Sequence, residues 1–199
     1  MKAFILLFLN LLIGTSSFAQ LLPGTLDVSG FPDLVQPLES LVKEAGMDDL
    51  NESFESEFNA TEISFVLDAS TDPITGVTLT SDANCSENIY RYSVFAHTTD
   101  APPDMTIEAK TYLNSGNRFP ASALYDNLPV QPLGPRNLFP ENGGTYITIP
   151  NTGSAAIKIM EFVGCRQNIP IQYRVRSSVK NSSSSSNLNV FFTVVGSLN

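Results

Sequence analysis

The chain has no tryptophan, one histidine, His97, and two cysteines, Cys85 and Cys165. Each scarcity excludes something. Zinc asks for three or four histidine, cysteine or carboxylate ligands, so a lone histidine and two distant cysteines do not make a zinc site. Sugar-cleaving clefts commonly stack substrate on tryptophan, which is absent. A true antibody-type domain packs a tryptophan against its disulfide, and that signature is missing too. Positive charge is also scarce. Eleven lysines and arginines face twenty acids for a net charge of −9, and the basic residues never cluster. A surface of that sign repels phosphate backbones, so nucleic acid is not an expected partner.

Long apolar runs are confined to the start. Met1 and Lys2 precede an apolar stretch from Ala3 to Ile13, broken only by Asn10, and Gly-Thr-Ser-Ser-Phe-Ala closes it. This pattern predicts a signal peptide over residues 1–19, with small residues Ser17 and Ala19 before a cut at Gln20. The run is shorter than the ~20 residues that span a bilayer. No other stretch is long enough, so the matured chain is expected to have no membrane span. The expected location is secreted, periplasmic or cell-surface.

Two cysteines in an exported protein predict one disulfide, Cys85 with Cys165; two separate buried thiols are the competing reading. No cofactor, metal or catalytic group is expected.

The hydrophobic period divides the rest. Over residues 20–60, Leu38, Leu41, Val42 and Ala45 share one helical face after Pro37 and before Gly46. Met47, Leu50, Phe54 and Phe58 then recur every three or four residues. This predicts an N-terminal helical segment or linker. Over 61–199 the period becomes two. Ile63, Phe65 and Leu67 are expected on one face, as are Tyr90, Tyr92, Val94 and Ala96. The same alternation links Met105 to Leu113, Ala155 to Ile159, Ile169 to Val179 and Leu188 to Val194. Five prolines between Asn114 and Gly144 forbid a central strand there and predict a long connection. Five consecutive serines within Lys180–Asn187 predict an exposed hairpin tip. The fold class that follows is all-β: an immunoglobulin-like or jelly-roll β-sandwich, the former favoured because each cysteine flanks a strand.

The candidate chemistry is sparse. His97 has no accompanying nucleophile-elbow motif and reads as a strand-end residue. Asp100, Asp104, Glu108 and Glu161 are the carboxylates from which a glycoside-hydrolase pair would come. Asp68, Thr71 and Asp72 form one oxygen-rich turn and Asp82 with Asn84 another, without the spacing of an EF-hand loop. Asn51, Asn59, Asn84 and Asn181 head Asn-x-Ser/Thr triplets. The leading expectation is a non-catalytic surface or secreted module, binding an unknown protein or glycan, with Asp82–Glu87, Asn114–Gly144 and Lys180–Asn187 as its binding loops. One alternative is a secreted polysaccharide-acting hydrolase using Asp100, Asp104 or Glu161. The other is a subunit of a surface fibre. Leu188–Val195 resembles the alternating C-terminal strand of pilus subunits assembled by strand donation, although this chain ends Gly196-Ser197-Leu198-Asn199 and not in their glycine-alternation-tyrosine pattern.

Overall fold

The computed structural model describes residues 21–32, 53–102, 105–177 and 187–198. Its strands are β1 (Gly24–Ser29), β2 (Ser53–Glu55), β3 (Thr61–Leu67), β4 (Ser70–Thr71), β5 (Thr78–Leu79), β6 (Arg91–Thr99) and β7 (Met105–Lys110). There follow β8 (Asn117–Arg118), β9 (Leu138–Pro140), β10 (Ile147–Thr148), β11 (Ile157–Val163), β12 (Arg166–Ser177) and β13 (Asn189–Ser197). One α-helix, α1 (Ser81–Glu87), lies between β5 and β6. The fold is all-β, and every paired strand is antiparallel.

The first sheet runs β1-β3-β12-β7-β10, with β2 and β8 also paired to β12. The second runs β13-β6-β11-β9. The two-residue alternation dictates which side chains meet between them. Ile63, Phe65, Leu67, Ile107, Ala109, Ile169, Ile171, Tyr173 and Val175 from the first sheet share one buried cluster with Tyr92, Val94, Ala96, Leu138, Met160 and Phe162 from the second. Tyr92 stands at its centre, with ring centroids 4.5 Å from Phe65 across the interface and 5.5 Å from Phe162 beside it.

Several expectations change. Residues 24–29 and 53–55, read from sequence as part of a helical segment or linker, are strands paired to β3 and β12. Phe54 faces Val175 there, so pairing with a strand already in place outweighs a weak local helical period. The Pro37–Gly46 helix and the leader over residues 1–19 lie outside the described residues. Ala155, Ile157 and Ile159 do not share one inward face. Ala155 ends a 3-10 turn, and a β-bulge between Lys158 and Met160 adds one residue against β6. Ile159 and Met160 are consequently both buried, while Ile157 is turned outward. Leu113 lies beyond the end of β7 and is exposed. Finally, β12 and β13 belong to different sheets, and the serine-rich stretch over 180–186, expected to be an exposed hairpin tip, lies outside the described residues.

Cys85 and Cys165 are joined, with Cα atoms 5.6 Å apart and a separation of 80 positions in sequence. The bond fixes α1 to the crossing from β11 to β12, where the chain passes from the second sheet to the first. In the chain-entropy model a loop of this size stabilises the fold by about 4 kcal/mol. The Cys85→Ser/Cys165→Ser double variant is therefore expected to lose about 2–5 kcal/mol in urea titration. A midpoint unchanged from the oxidised protein would show that the crossing is held by packing alone.

Three tyrosines add a second expectation. Burial raises the phenol pKa of Tyr92 and of Tyr146, and pushes that of Tyr173 up to about 12. An acid whose folded pKa is raised binds more protons folded than unfolded once the pH passes its ordinary value, so its contribution is complete below pH ~10 and is lost above it. Tyrosinate absorbance should keep rising past the range of an exposed phenol, in step with loss of sheet circular dichroism. Complete tyrosine titration near pH ~10 with the fold intact would contradict this.

Candidate functional site

The three stretches expected to be binding loops behave differently from one another. Asp82–Glu87 is not a loop. Thr80 caps α1 by accepting the Ala83 amide on its hydroxyl at 3.2 Å, and Asp82 sits in the first turn where the helix dipole favours a carboxylate. Asn84 is fully buried: its Nδ2 donates to the Asp68 carbonyl at 2.6 Å and to Ser70 Oγ at 2.9 Å. That occupancy removes Asn84 both from the oxygen-rich turn read as a cation site and from the exposed Asn-x-Ser/Thr triplets. The other such turn is a self-contained Asx turn. Asp72 Oδ1 accepts the amides of Ile74 at 2.8 Å and Thr75 at 3.3 Å, which hold its carboxyl below the usual range, while Asp68 accepts from Thr25 at 2.6 Å. Among the described residues no three histidine, cysteine or acidic side chains gather closely enough to hold a metal ion.

The proline-rich stretch Asn114–Gly144 is an ordered loop built around two buried arginines that composition alone does not single out. Arg136 is fully buried; its guanidinium donates to the Phe119 and Pro120 carbonyls at 3.0 and 2.7 Å and pairs with Asp126 at 3.0 Å. Arg166, on β12, donates to the carbonyls of Ser115, Asn114 and Arg136 at 2.7, 2.8 and 3.2 Å. Burial and the neighbouring Arg118 and Arg136 pull its pKa down to about 10, which leaves it charged at neutral pH. A chain with this many prolines has few amides to donate, so its carbonyls are satisfied by the five-donor forks of arginine instead. Gly164 has φ +74°, and a Cβ there would stand 2.9 Å from Arg136 Nε, so the β11–β12 corner needs glycine to admit the guanidinium. Beside Arg166, Asn114, Asn117 and Arg118 line a small open recess of about 380 Å³.

The outer face of the first sheet carries a cluster of polar and aromatic groups. Its residues are those that alternate with the core. On β12, Gln172, Arg174 and Arg176 stand opposite Lys110, Glu108 and Thr106 of β7. Glu108, nearly buried, pairs with Arg174 Nε at 2.5 Å and Arg176 Nε at 3.2 Å. The Arg174 guanidinium lies 4.0 Å from the Tyr146 ring centroid and Lys110 Nζ 4.2 Å from it. Lys110 also reaches Tyr112, whose ring packs on Phe58 at 4.7 Å and whose hydroxyl donates to Gln172 Oε1 at 2.9 Å. Burial, followed by the nearby Glu55 carboxylate, raises the Tyr146 phenol. Phe58 and Tyr112 remain 49% and 36% exposed, so this pair of rings is presented to solvent beside Lys110.

Two of the carboxylates read as a hydrolase pair, Glu108 and Glu161, stand on different sheets. Glu108 is on β7 of the first sheet; Glu161 is on β11 of the second, bound to Arg91 at 3.0 Å and Lys158 at 3.2 Å. Asp100 is exposed at the end of β6 with φ +61°, and Asp104 lies outside the described residues. His97 stacks on Phe191 at 5.0 Å, on the outer face of the second sheet. Comparison with protein-family models, curated proteins and solved structures gives no significant match to any of the three.

Asp126 tests the loop's construction. Replacing it by alanine leaves the Arg136 charge buried without its partner, and the expected cost is about 3–5 kcal/mol. Denaturant midpoints of Asp126→Ala and Arg136→Met measure it, with Arg136→Met expected to be the milder. Equal, small losses would mean that the carbonyl contacts alone hold the loop.

Proposed function

We propose that this protein is an exported, non-catalytic β-sandwich module that binds a glycan through the outer face of its first sheet. The observation that carries the reading is the juxtaposition of two exposed rings at the rim of the first sheet, Phe58 in the β2–β3 turn and Tyr112 just past β7, with Lys110 and Gln172, and of Lys110 and Arg174 over Tyr146. Aromatic faces stack on the apolar side of a pyranose ring, and amide, ammonium and guanidinium groups donate to its hydroxyls. Export is supported by the leader pattern together with the Cys85–Cys165 disulfide, a bond that persists in oxidising compartments. No helix among the described residues is long and apolar enough to cross a membrane. The strand order favours the jelly roll over the immunoglobulin-like form. Successive long strands β3, β6, β7, β11 and β12 fall mostly in alternate sheets, whereas an immunoglobulin sandwich pairs its first two strands within one sheet.

The separation of Glu108 from Glu161 and their pairing to arginine and lysine weigh against the hydrolase alternative. A glycan array probed with the purified protein is the direct test. Binding is expected to fall by about tenfold or more on Tyr112→Ala, the loss of one ring face being worth roughly 1–2 kcal/mol. Arg118→Ala, at the opposite recess, is expected to leave it unchanged. Retained binding in Tyr112→Ala with loss in Arg118→Ala would move the site to the loop end.

A further inference from the structure

The proline-rich loop and the strand beneath it hold more positive charge than their own residues neutralise. Arg118 on β8 stands directly opposite Arg166 on β12 in their antiparallel pairing. Like charges placed directly opposite one another across a ladder destabilise it. Arg136 adds a third: Arg166 donates to its carbonyl at 3.2 Å, and after burial it is Arg118 and Arg136 that pull the Arg166 pKa down. Asp126 is the carboxylate of this group, and it pairs with Arg136 at 3.0 Å. Among the described residues neither Arg118 nor Arg166 has an ion pair. A buried charge is ordinarily paired, yet Arg166 is 3% exposed and unpaired in a chain with twenty acids.

The two arginines meet at the recess of about 380 Å³, which Asn114 and Asn117 also line and to which no acid contributes. Donors remain there. Of the five N–H groups of the Arg166 fork, three go to the carbonyls of Ser115, Asn114 and Arg136. Arg118 gives one to Asn137 Oδ1 at 2.9 Å. Asn114 Oδ1 accepts the Leu138 amide at 3.0 Å, which fixes the orientation of its side-chain amide and leaves Nδ2 as a donor. The backbone holds these groups in place. Gly116 has φ +71°, and a Cβ there would stand 2.7 Å from the Gln167 carbonyl oxygen, so glycine is what lets the turn press against β12 and set Arg118 beside Arg166. Every lining residue belongs to the unbroken described stretch 105–177, and the recess lies at the end of β12 away from Ser177 and its partner Met105, where that stretch stops.

We propose that this recess is an anion site, in which Arg118 and Arg166 hold a tetrahedral oxoanion, a phosphate or sulfate group, between them while Asn114 and Asn117 donate to its remaining oxygens. The anion supplies the negative charge that the arginine group lacks and turns the opposed pair from a repulsion into a clamp. A carboxylate fits less well. Its two oxygens are taken up by a single guanidinium fork, whereas a phosphate or sulfate group has three or four to offer to four donor side chains. The net charge of −9 repels anions at long range, but at an ionic strength of ~0.15 M charges beyond about 8 Å are screened, and the nearest ones are the arginines. The site does not rest on the glycan-binding reading, which uses other side chains.

Titration calorimetry of the disulfide-bonded protein, in chloride buffer of fixed ionic strength, is the test. Inorganic phosphate or inorganic sulfate is expected to bind saturably at one site, with acetate weaker by about tenfold or more. Methyl phosphate and methyl sulfate tell the sources of the group apart: affinity like that of the free ions means that the site takes an esterified group, a tenfold loss that it takes the free ion, and the anion site holds in both cases. Arg118 is exposed and makes a single side-chain hydrogen bond, so Arg118→Gln is expected to keep its circular dichroism and lose about tenfold or more in phosphate affinity. Asn117→Asp, which brings a carboxylate to the recess, is expected to lose as much and to have a denaturant midpoint that phosphate no longer raises. Tyr112→Ala should bind phosphate as the native protein does, which separates this site from the glycan-binding face. Absence of saturable phosphate and sulfate binding overturns the proposal, as does acetate binding as tightly as phosphate, or phosphate affinity unaltered in either recess variant.

Discussion

The fold hangs on β12. Its first half, Arg166 to Ile171, is flanked by β3 and β8; its second half, from Gln172 to Ser177, by β7 and β2. The inward residues of the same strand, Ile169, Ile171, Tyr173 and Val175, floor the core, and the outward ones, Gln172, Arg174 and Arg176, build the polar face. One period-two pattern thus makes the interior and the candidate binding surface at once. A slip by one residue would exchange the two, burying three polar heads in place of four apolar side chains. The register is pinned against such a slip at the strand's N-terminal end. Arg166 is committed to three loop carbonyls, and Cys165, its neighbour, is tied to α1.

That end of the molecule and the two sheet faces have separate jobs. At the disulfide end, Arg136, Arg166, Gly164 and the bridge, together with the short pairings of β8 to β12 and β9 to β11, hold a proline-rich loop against the core. Ion pairs, the disulfide and these backbone bonds hold the loop together, with a small recess beside Arg118. The outer face of the first sheet is instead a network of cations lying over rings. The outer face of the second is simpler, with Glu161 bridging Arg91 and Lys158, and Phe191 under His97 close to an edge without charges.

Which features were legible depended on whether the cause was local. The inward faces of β3, β6, β7 and β12 were readable because alternation is a property of consecutive residues. So was the pairing of Cys85 with Cys165, there being no other cysteine. Strand β1 and Phe54 of β2 were not, since short segments with mixed patterns become strands when an edge is waiting for them. The bulge at Lys158–Met160 broke the apparent run from Ala155 to Ile159 because its cause is the β6 partner. Asn84 looked like a turn residue, yet a buried amide that satisfies Asp68 and Ser70 is invisible until β3 and α1 are brought together.

From its sequence alone this protein is all-β, has one possible disulfide and is predominantly acidic, since composition and period are written residue by residue. Tertiary structure alone decided which strands neighbour which, that two arginines are buried within a proline-rich loop, and that Phe58, Tyr112, Lys110 and Arg174 converge on one face. Those facts depend on contacts between residues far apart in the chain, where the energy of pairing and burial resides in the partner as much as in the residue itself.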